Sequence, residues 1–221
     1  MKKLQLRPWI PRHKRFEPSG LAATADGTLL VVGDEGQLGR LAPGDRALSL
    51  EKVRPRGDLE GVTIDAAGRV LVLAERRSEL WHVDAGRRVQ AWALPPPEAK
   101  RDTYEGLTAR PDGHLVLSTQ AKRSALRIVA PLTDGAGRTQ LVAEQRLDIP
   151  DVAGLAMDGD HLLALSDKAC RLVRLRWDGA TYVPVDAWKT PERDLEGVVV
   201  VGPHIVLAQD SGGLWRGPWP Q

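Results

Sequence analysis

A short phrase recurs five times along the chain: Ser19-Gly20-Leu21-Ala22, Glu60-Gly61-Val62-Thr63, Glu105-Gly106-Leu107-Thr108, Ala153-Gly154-Leu155-Ala156 and Glu196-Gly197-Val198-Val199. Its glycines lie 41, 45, 48 and 43 residues apart. Self-similarity at a fixed period confines a chain to repeat architectures, and roughly 40–50 residues is the length of a propeller blade.

The units agree beyond the phrase. Each glycine opens a short apolar run, followed by a turn: Asp26-Gly27, Ala67-Gly68, Asp112-Gly113, Asp158-Gly159 and Gly202-Pro203. A second apolar run follows each turn (Leu29 to Val32, Val70 to Leu73, Leu115 to Leu117, Leu162 to Leu165, Ile205 to Leu207), so each pair reads as a hairpin. Third strands are expected at Gln37 to Leu41, Glu79 to Val83, Ala125 to Val129, Arg171 to Leu175 and Gly213 to Arg216. Fourth strands are expected to end in proline, at Pro55, Pro95, Pro150 and Pro191.

The fifth unit stops after its third strand. Leu4 to Trp9 reads as the missing strand, with Trp9-Ile10-Pro11 repeating the Trp-then-Pro ending of units two and four. The N-terminal strand then closes the last blade and removes an open sheet edge. The expectation is all-β: one domain over residues 1–221, a five-bladed β-propeller of four-stranded antiparallel blades. Pro95 to Arg101 and Thr133 to Arg138 read as longer loops.

Composition narrows the function. The chain has 221 residues, 42% hydrophobic and 27% charged, which suits one globular domain. Lys plus Arg number 31 and Asp plus Glu 29, and a net charge of +2 gives no electrostatic footprint for nucleic acid. A lone cysteine, Cys170, excludes an intramolecular disulfide framework and a cysteine-based metal cluster. No apolar run reaches the roughly 20 residues of a membrane-spanning helix. Met1-Lys2-Lys3 is followed by Arg7, Pro8, Pro11, Arg12, Lys14 and Arg15 rather than an apolar signal core. A cytoplasmic monomer is expected, periplasmic if a leader has been removed. No GxSxG, HExxH, CxxC, P-loop or GxGxxG motif is present, so serine-triad, thiol and nucleotide chemistry rank low.

The first strand of each propeller blade lines the central channel. Fourth-to-first and second-to-third connections emerge on one face. Ser19, Glu60, Glu105, Ala153 and Glu196 therefore converge with the residues that end the second strands: Asp34 or Glu35, Glu75, Thr119 or Gln120, Asp167 and Asp210. Asp58, Asp151 and Asp194 lie two positions before the glutamate position and share its side of the strand. Two carboxylates ~6 Å apart repel by about 3 kcal/mol at an effective dielectric of about 20. Protonation, arginine pairing or a cation must offset that. An all-oxygen set favours a hard cation, Ca²⁺ before Mg²⁺. Glu60, Glu105 and Glu196 are the expected ligands, with Asp58, Asp194 and water next. The competing reading pairs these acids with Arg76, Arg77, Lys122, Arg123, Lys168 and Arg193 of the mouth loops.

The residues Asp58-Leu59-Glu60-Gly61-Val62-Thr63-Ile64-Asp65, running on through Val70 to Arg76, resemble the SdiA-regulated family of bacterial β-propellers, and Asp194-Leu195-Glu196-Gly197 repeats the likeness. Ser19 to Ala22 through Val31 to Asp34 resembles the esterase-like phytase group. The resemblance implies a propeller and calcium, with no established reaction. The Glu-Gly phrases also resemble the gluconolactonase and regucalcin family, in which a channel glutamate binds a divalent metal that polarises a lactone. Those enzymes also use an asparagine, and this chain has none.

Three functions compete. The first is a calcium-binding propeller that presents its acidic mouth to a small molecule or protein. The second is a metal-dependent hydrolase of lactones or phosphoesters, with Glu75, Asp167 or Asp210 as general base. The third is a metal-free interaction scaffold. Neither a membrane nor a nucleic-acid partner is expected.

Overall fold

A computed structural model of the chain describes residues 1–97, 102–135 and 137–220. It is a five-bladed β-propeller. The first blade is Pro18–Ala23, Leu29–Gly33, Gln37–Leu41 and Ser49–Lys52, paired antiparallel in that order. The second is Leu59–Ile64, Val70–Ala74, Glu79–Asp84 and Arg87–Ala93, and the third is Thr103–Ala109, Leu115–Gln120, Ala125–Val129 and Leu141–Arg146. The fourth is Val152–Asp158, His161–Ser166, Arg171–Trp177 and Tyr182–Lys189. The fifth is Leu195–Val201, His204–Gln209 and Gly213–Pro218, completed by the N-terminal Arg7–Ile10.

Closure therefore uses a strand at Arg7–Ile10 rather than Leu4 to Trp9. It pairs Arg7 with Arg216 and Ile10 with Leu214. Before it, Lys2–Lys3 runs parallel to the outer strand of the fourth blade, with Lys2 opposite Trp188. Leu4 is buried between these two attachments. Gly137–Arg138, expected in a loop, instead adds a fifth, parallel strand to the second blade. Residues 98–101 of the expected Pro95 to Arg101 loop, and residue 136, lie outside the described residues. The fourth strands stop before the prolines expected to end them, as a residue without an N–H fits a strand's flank better than its ladder.

Five apolar clusters fill the five blade-to-blade interfaces. Leu30, Val32 and Leu38 of the first blade meet Val72, Trp81 and Val83 of the second. The seam between the fifth and first blades holds Ile10, Phe16, Val31 and Val206. Trp81, Trp92 and Trp188 are fully buried in such interfaces, where a large ring fills the widening gap between twisted sheets.

Around the axis the glycines of the repeated phrase form a ring of close approaches. A Cβ on Gly20 would lie 2.5 Å from the Glu60 carbonyl oxygen, and one on Gly61 would lie 2.6 Å from Leu107 Cβ. One on Gly106 would lie 2.8 Å from Leu155 Cγ, and one on Gly197 3.0 Å from Leu21 Cγ. Each contact is with the next blade. The ring leaves a void of only about 10 Å³ on the axis, room for one water at most. The channel is thus pinched shut, with the acidic mouth above the pinch. Below it lies a shallow cup of about 180 Å³ lined by Ala22, Val62, Ala156, Met157 and Val199.

Candidate functional site

Every first strand breaks register against its second strand at the same place: between Pro18 and Gly20, Leu59 and Val62, Tyr104 and Leu107, Val152 and Gly154, and Leu195 and Gly197. The repeated phrase is a β-bulge. A bulge re-aims a side chain that regular pleating would turn into the sheet. Here it delivers Ser19, Glu60, Glu105 and Glu196 to the mouth. Glu60 and Glu105 are buried, and Glu196 is half-buried.

A second repeated element brings up the loop acids. The backbone N–H of Glu75 donates to the Asp58 carbonyl at 3.0 Å, and that of Asp210 donates to the Asp194 carbonyl at 2.9 Å. Asp34 N–H reaches the Glu17 carbonyl at 3.4 Å in the same way. Each bond ties the end of a second strand to the chain entering a first strand.

Three carboxylates come together at the junction of blades one and two. Oxygens of Asp34, Asp58 and Glu60 all lie within 4.8 Å of one another. A second group, Glu17, Asp34 and Asp210, meets the same criterion. Asp34 belongs to both and is the hub of the mouth. The Ser19 hydroxyl donates to it. Glu105, Glu196 and Asp194 fall outside both groups.

Burial pushes the Asp34 carboxyl up to about 6, with the charges of Asp58, Asp210 and Glu17 adding to the rise and the Ser19 hydroxyl opposing it. Burial raises Glu196 to about 9, reinforced by Asp210, Asp34 and Glu105. Glu60 is strongly raised, first by burial and then by Glu105, Asp34, Glu196 and Glu75. Glu105 is raised by burial and by Glu75, Asp151 and Asp34, against a 2.9 Å hydrogen bond from the Thr103 hydroxyl. Burial also raises Asp210, followed by the charge of Asp194. Without a cation these groups are held partly protonated by one another and by the loss of water.

Basic side chains neutralise only part of this charge. Arg76 Nε lies 2.5 Å from Asp58 Oδ2, yet the Arg76 side chain is 83% exposed. Lys168 Nζ is 3.4 Å from Asp151 Oδ2, and Arg123 is spent on Asp148, 2.9 Å away. Among the general-base candidates, Asp167 accepts the backbone N–H of Asp194 at 2.6 Å, and Asp194 holds a left-handed φ of 56°. Glu75 begins a short 3₁₀ turn, Glu75–Arg77, at the rim.

Asp34 is the residue that sequence reasoning set among the mouth acids but not among the ligands. Its group is assembled across a blade boundary, and strand periodicity places side chains within one blade only. An acid 13 or 14 residues after four of the five glycines, all but Gly106, was the available signal.

No family model matches the chain, and neither does any curated protein sequence. Solved β-propeller structures do match in fold. A gluconolactonase from Xanthomonas campestris superposes with a TM-score of 0.58 at 15% identity, over 97% of this chain and 89% of that one. The PQQ-bound aldose sugar dehydrogenase of Streptomyces coelicolor gives 0.57 at 14% identity, over 98% of each chain. An inactive variant of virginiamycin B lyase from Staphylococcus aureus, with quinupristin, gives 0.54 at 14% identity over 90% of this chain. The chain spans 65% of the lyase's length. These likenesses concern the fold. Among the described residues no helix is long and apolar enough to cross a membrane.

Proposed function

We propose that the propeller binds one calcium ion at its acidic mouth, on Asp34, Asp58 and Glu60, and presents that ion to a ligand. The observation that carries this reading is the convergence of those three carboxylates within 4.8 Å. Calcium–oxygen bonds of 2.3–2.6 Å place ligand oxygens at most about 5 Å apart across one ion. The donor set is all oxygen and anionic, as a hard cation requires. Glu105 and Glu196 stand close enough to raise the charge density and add ligands through water. The likeness of Asp58 to Asp65 to the SdiA-regulated propellers supports the same reading.

The second reading adds chemistry at the same site. A bound divalent cation would polarise a carbonyl or phosphoryl oxygen. Asp210 then suits the general base better than Asp167, because Asp167 is engaged with the Asp194 N–H; burial raises the Asp210 carboxyl, the direction a base needs.

Calorimetric titration of the EDTA-treated protein with Ca²⁺ tests the first reading. One ion per chain is expected. Asp34→Asn should weaken binding at least tenfold, about 1.4 kcal/mol. No heat and no change in melting temperature at millimolar Ca²⁺ would leave a metal-free scaffold. A panel of lactones and phosphoesters tests the second reading, and activity that persists in EDTA or survives Asp210→Asn would remove it.

A further inference from the structure

The mouth is not five-fold symmetric in its basic residues. A cavity of about 710 Å³ opens over Asp34 and Asp58 between blades one and two, and Arg56, Gly57, Arg76 and Arg77 form the rest of its wall with Ala74. Two adjacent arginines follow the acid that ends the second strand only in blade two. The matching positions are Glu35-Gly36, Ala121-Lys122, Lys168-Ala169 and Ser211-Gly212 in the other four blades. Among the described residues, Arg56 and Arg77 have no carboxylate within ion-pair distance, and Arg77 rests over the Trp81 ring at 6.0 Å. Arg76 spends its Nε on Asp58, which leaves the two terminal nitrogens of its fork open to the cavity side. The floor stays low because Gly57 lies against Trp81, where a Cβ would come within 2.7 Å of the ring.

Three carboxylates cannot satisfy the six to eight oxygens that calcium takes, so open positions remain on the cavity side. A divalent ion on Asp34, Asp58 and Glu60 leaves one negative charge among those three ligands, and Arg56, Arg76 and Arg77 set three positive charges along the cavity wall beside it. Guanidinium forks match oxyanions bidentately. The volume falls in the range of small-molecule sites.

We propose that this cavity takes a small dianion, a phosphate monoester or a dicarboxylate, whose oxygens lie between the bound cation and Arg56, Arg76 and Arg77. The proposal rests on the cation reading and names the ligand class for that site. Binding of cation and dianion is then mutually reinforcing, since each relieves the charge the other meets.

Calorimetry separates the two claims. Calcium is titrated first, alone. Phenyl phosphate, phthalate and benzoate are then titrated into protein with and without saturating Ca²⁺. At least one of the two dianions should bind at least tenfold more tightly than benzoate, and tenfold more tightly with Ca²⁺ than in EDTA. The phosphate and phthalate arms identify which oxyanion is preferred. The double variant Arg56→Gln, Arg77→Gln should lose at least tenfold in dianion affinity while its calcium affinity and melting temperature hold. Calcium binding without dianion binding would overturn the dianion proposal and leave the cation site standing. Equal affinity in EDTA, equal affinity for benzoate, or unchanged affinity in the double variant would also overturn it.

Discussion

Gly154 faces the backbone carbonyl oxygen of Glu196 with no room for a methyl group between them. The contact joins the fourth blade to the fifth at the axis. Gly20 makes the same approach to the Glu60 carbonyl oxygen, and Gly61, Gly106 and Gly197 each come close to atoms of the next blade. The residue that puts a carboxylate at the mouth and the residue that lets the blades meet are therefore neighbours in one phrase.

Gly154→Ala should destabilise the protein by about 3 kcal/mol, because the obstructing atom is backbone and cannot rotate away. Gly137→Ala is the control, since nothing lies within 4 Å of its Cβ position. Urea unfolding midpoints measure both. Equal midpoints would mean that the ring is not tightly packed.

Removal of residues 1–10 should open the seam. Leu4 and Ile10 are 3% and 5% exposed, and burial of each is worth about 2 kcal/mol. The exposed edge of Gly213–Pro218 would also lose its ladder. A large fall in melting temperature by circular dichroism is expected, and a near-normal melt would contradict closure by this strand.

The mouth acids make metal-free stability depend on pH. Asp34 moves from 3.8 to about 6 on folding and Glu196 from 4.5 to about 9. A raised carboxyl binds more protons folded than unfolded, so stability falls as pH rises from about 4 towards 9. In EDTA the melting temperature should drop across that window. Saturating Ca²⁺ should flatten the slope, as it replaces the protons. A flat profile in EDTA would mean that the carboxyls are not held out of water.

Asp34→Asn should act in opposite directions in the two conditions. In EDTA it removes a charge repelled by Asp58, Asp210 and Glu17, and stability should hold or rise. With Ca²⁺ at about a hundred times its dissociation constant, the wild type gains roughly 2.7 kcal/mol from binding. A tenfold weaker site in the variant should lose at least about half of that gain. Paired thermal melts provide the comparison.

The blade count was legible because the repeated glycine phrase, Glu-Gly in three blades and Ser-Gly or Ala-Gly in the other two, marks one structural event, the bulge, that each blade needs once. The hairpins were legible from Asp-Gly and similar turns. The edges were harder to read. Lys2–Lys3 and Gly137–Arg138 are two-residue parallel strands whose partners lie far along the chain, at Trp188 and Trp92. Such short pairs carry no periodicity. The site was half legible for a related reason. Glu60 and Asp58 share one strand entry, whereas Asp34 reaches them from the preceding blade through tertiary packing alone.

The pairing of Arg7 with Arg216 has a consequence during synthesis. The segment that seals the ring is synthesised before any of the five blades is complete, and its partner follows only after four of them. At about 5–20 residues per second, roughly 10–40 s separate the two. For that interval the nascent protein is an open arc. Ile10 and Phe16 wait without their fifth-blade partners, and the first and newest blades each carry an uncovered apolar flank. Chaperone dependence is expected to concentrate in that window, and pairing of Gly213–Pro218 with Arg7–Ile10 ends it.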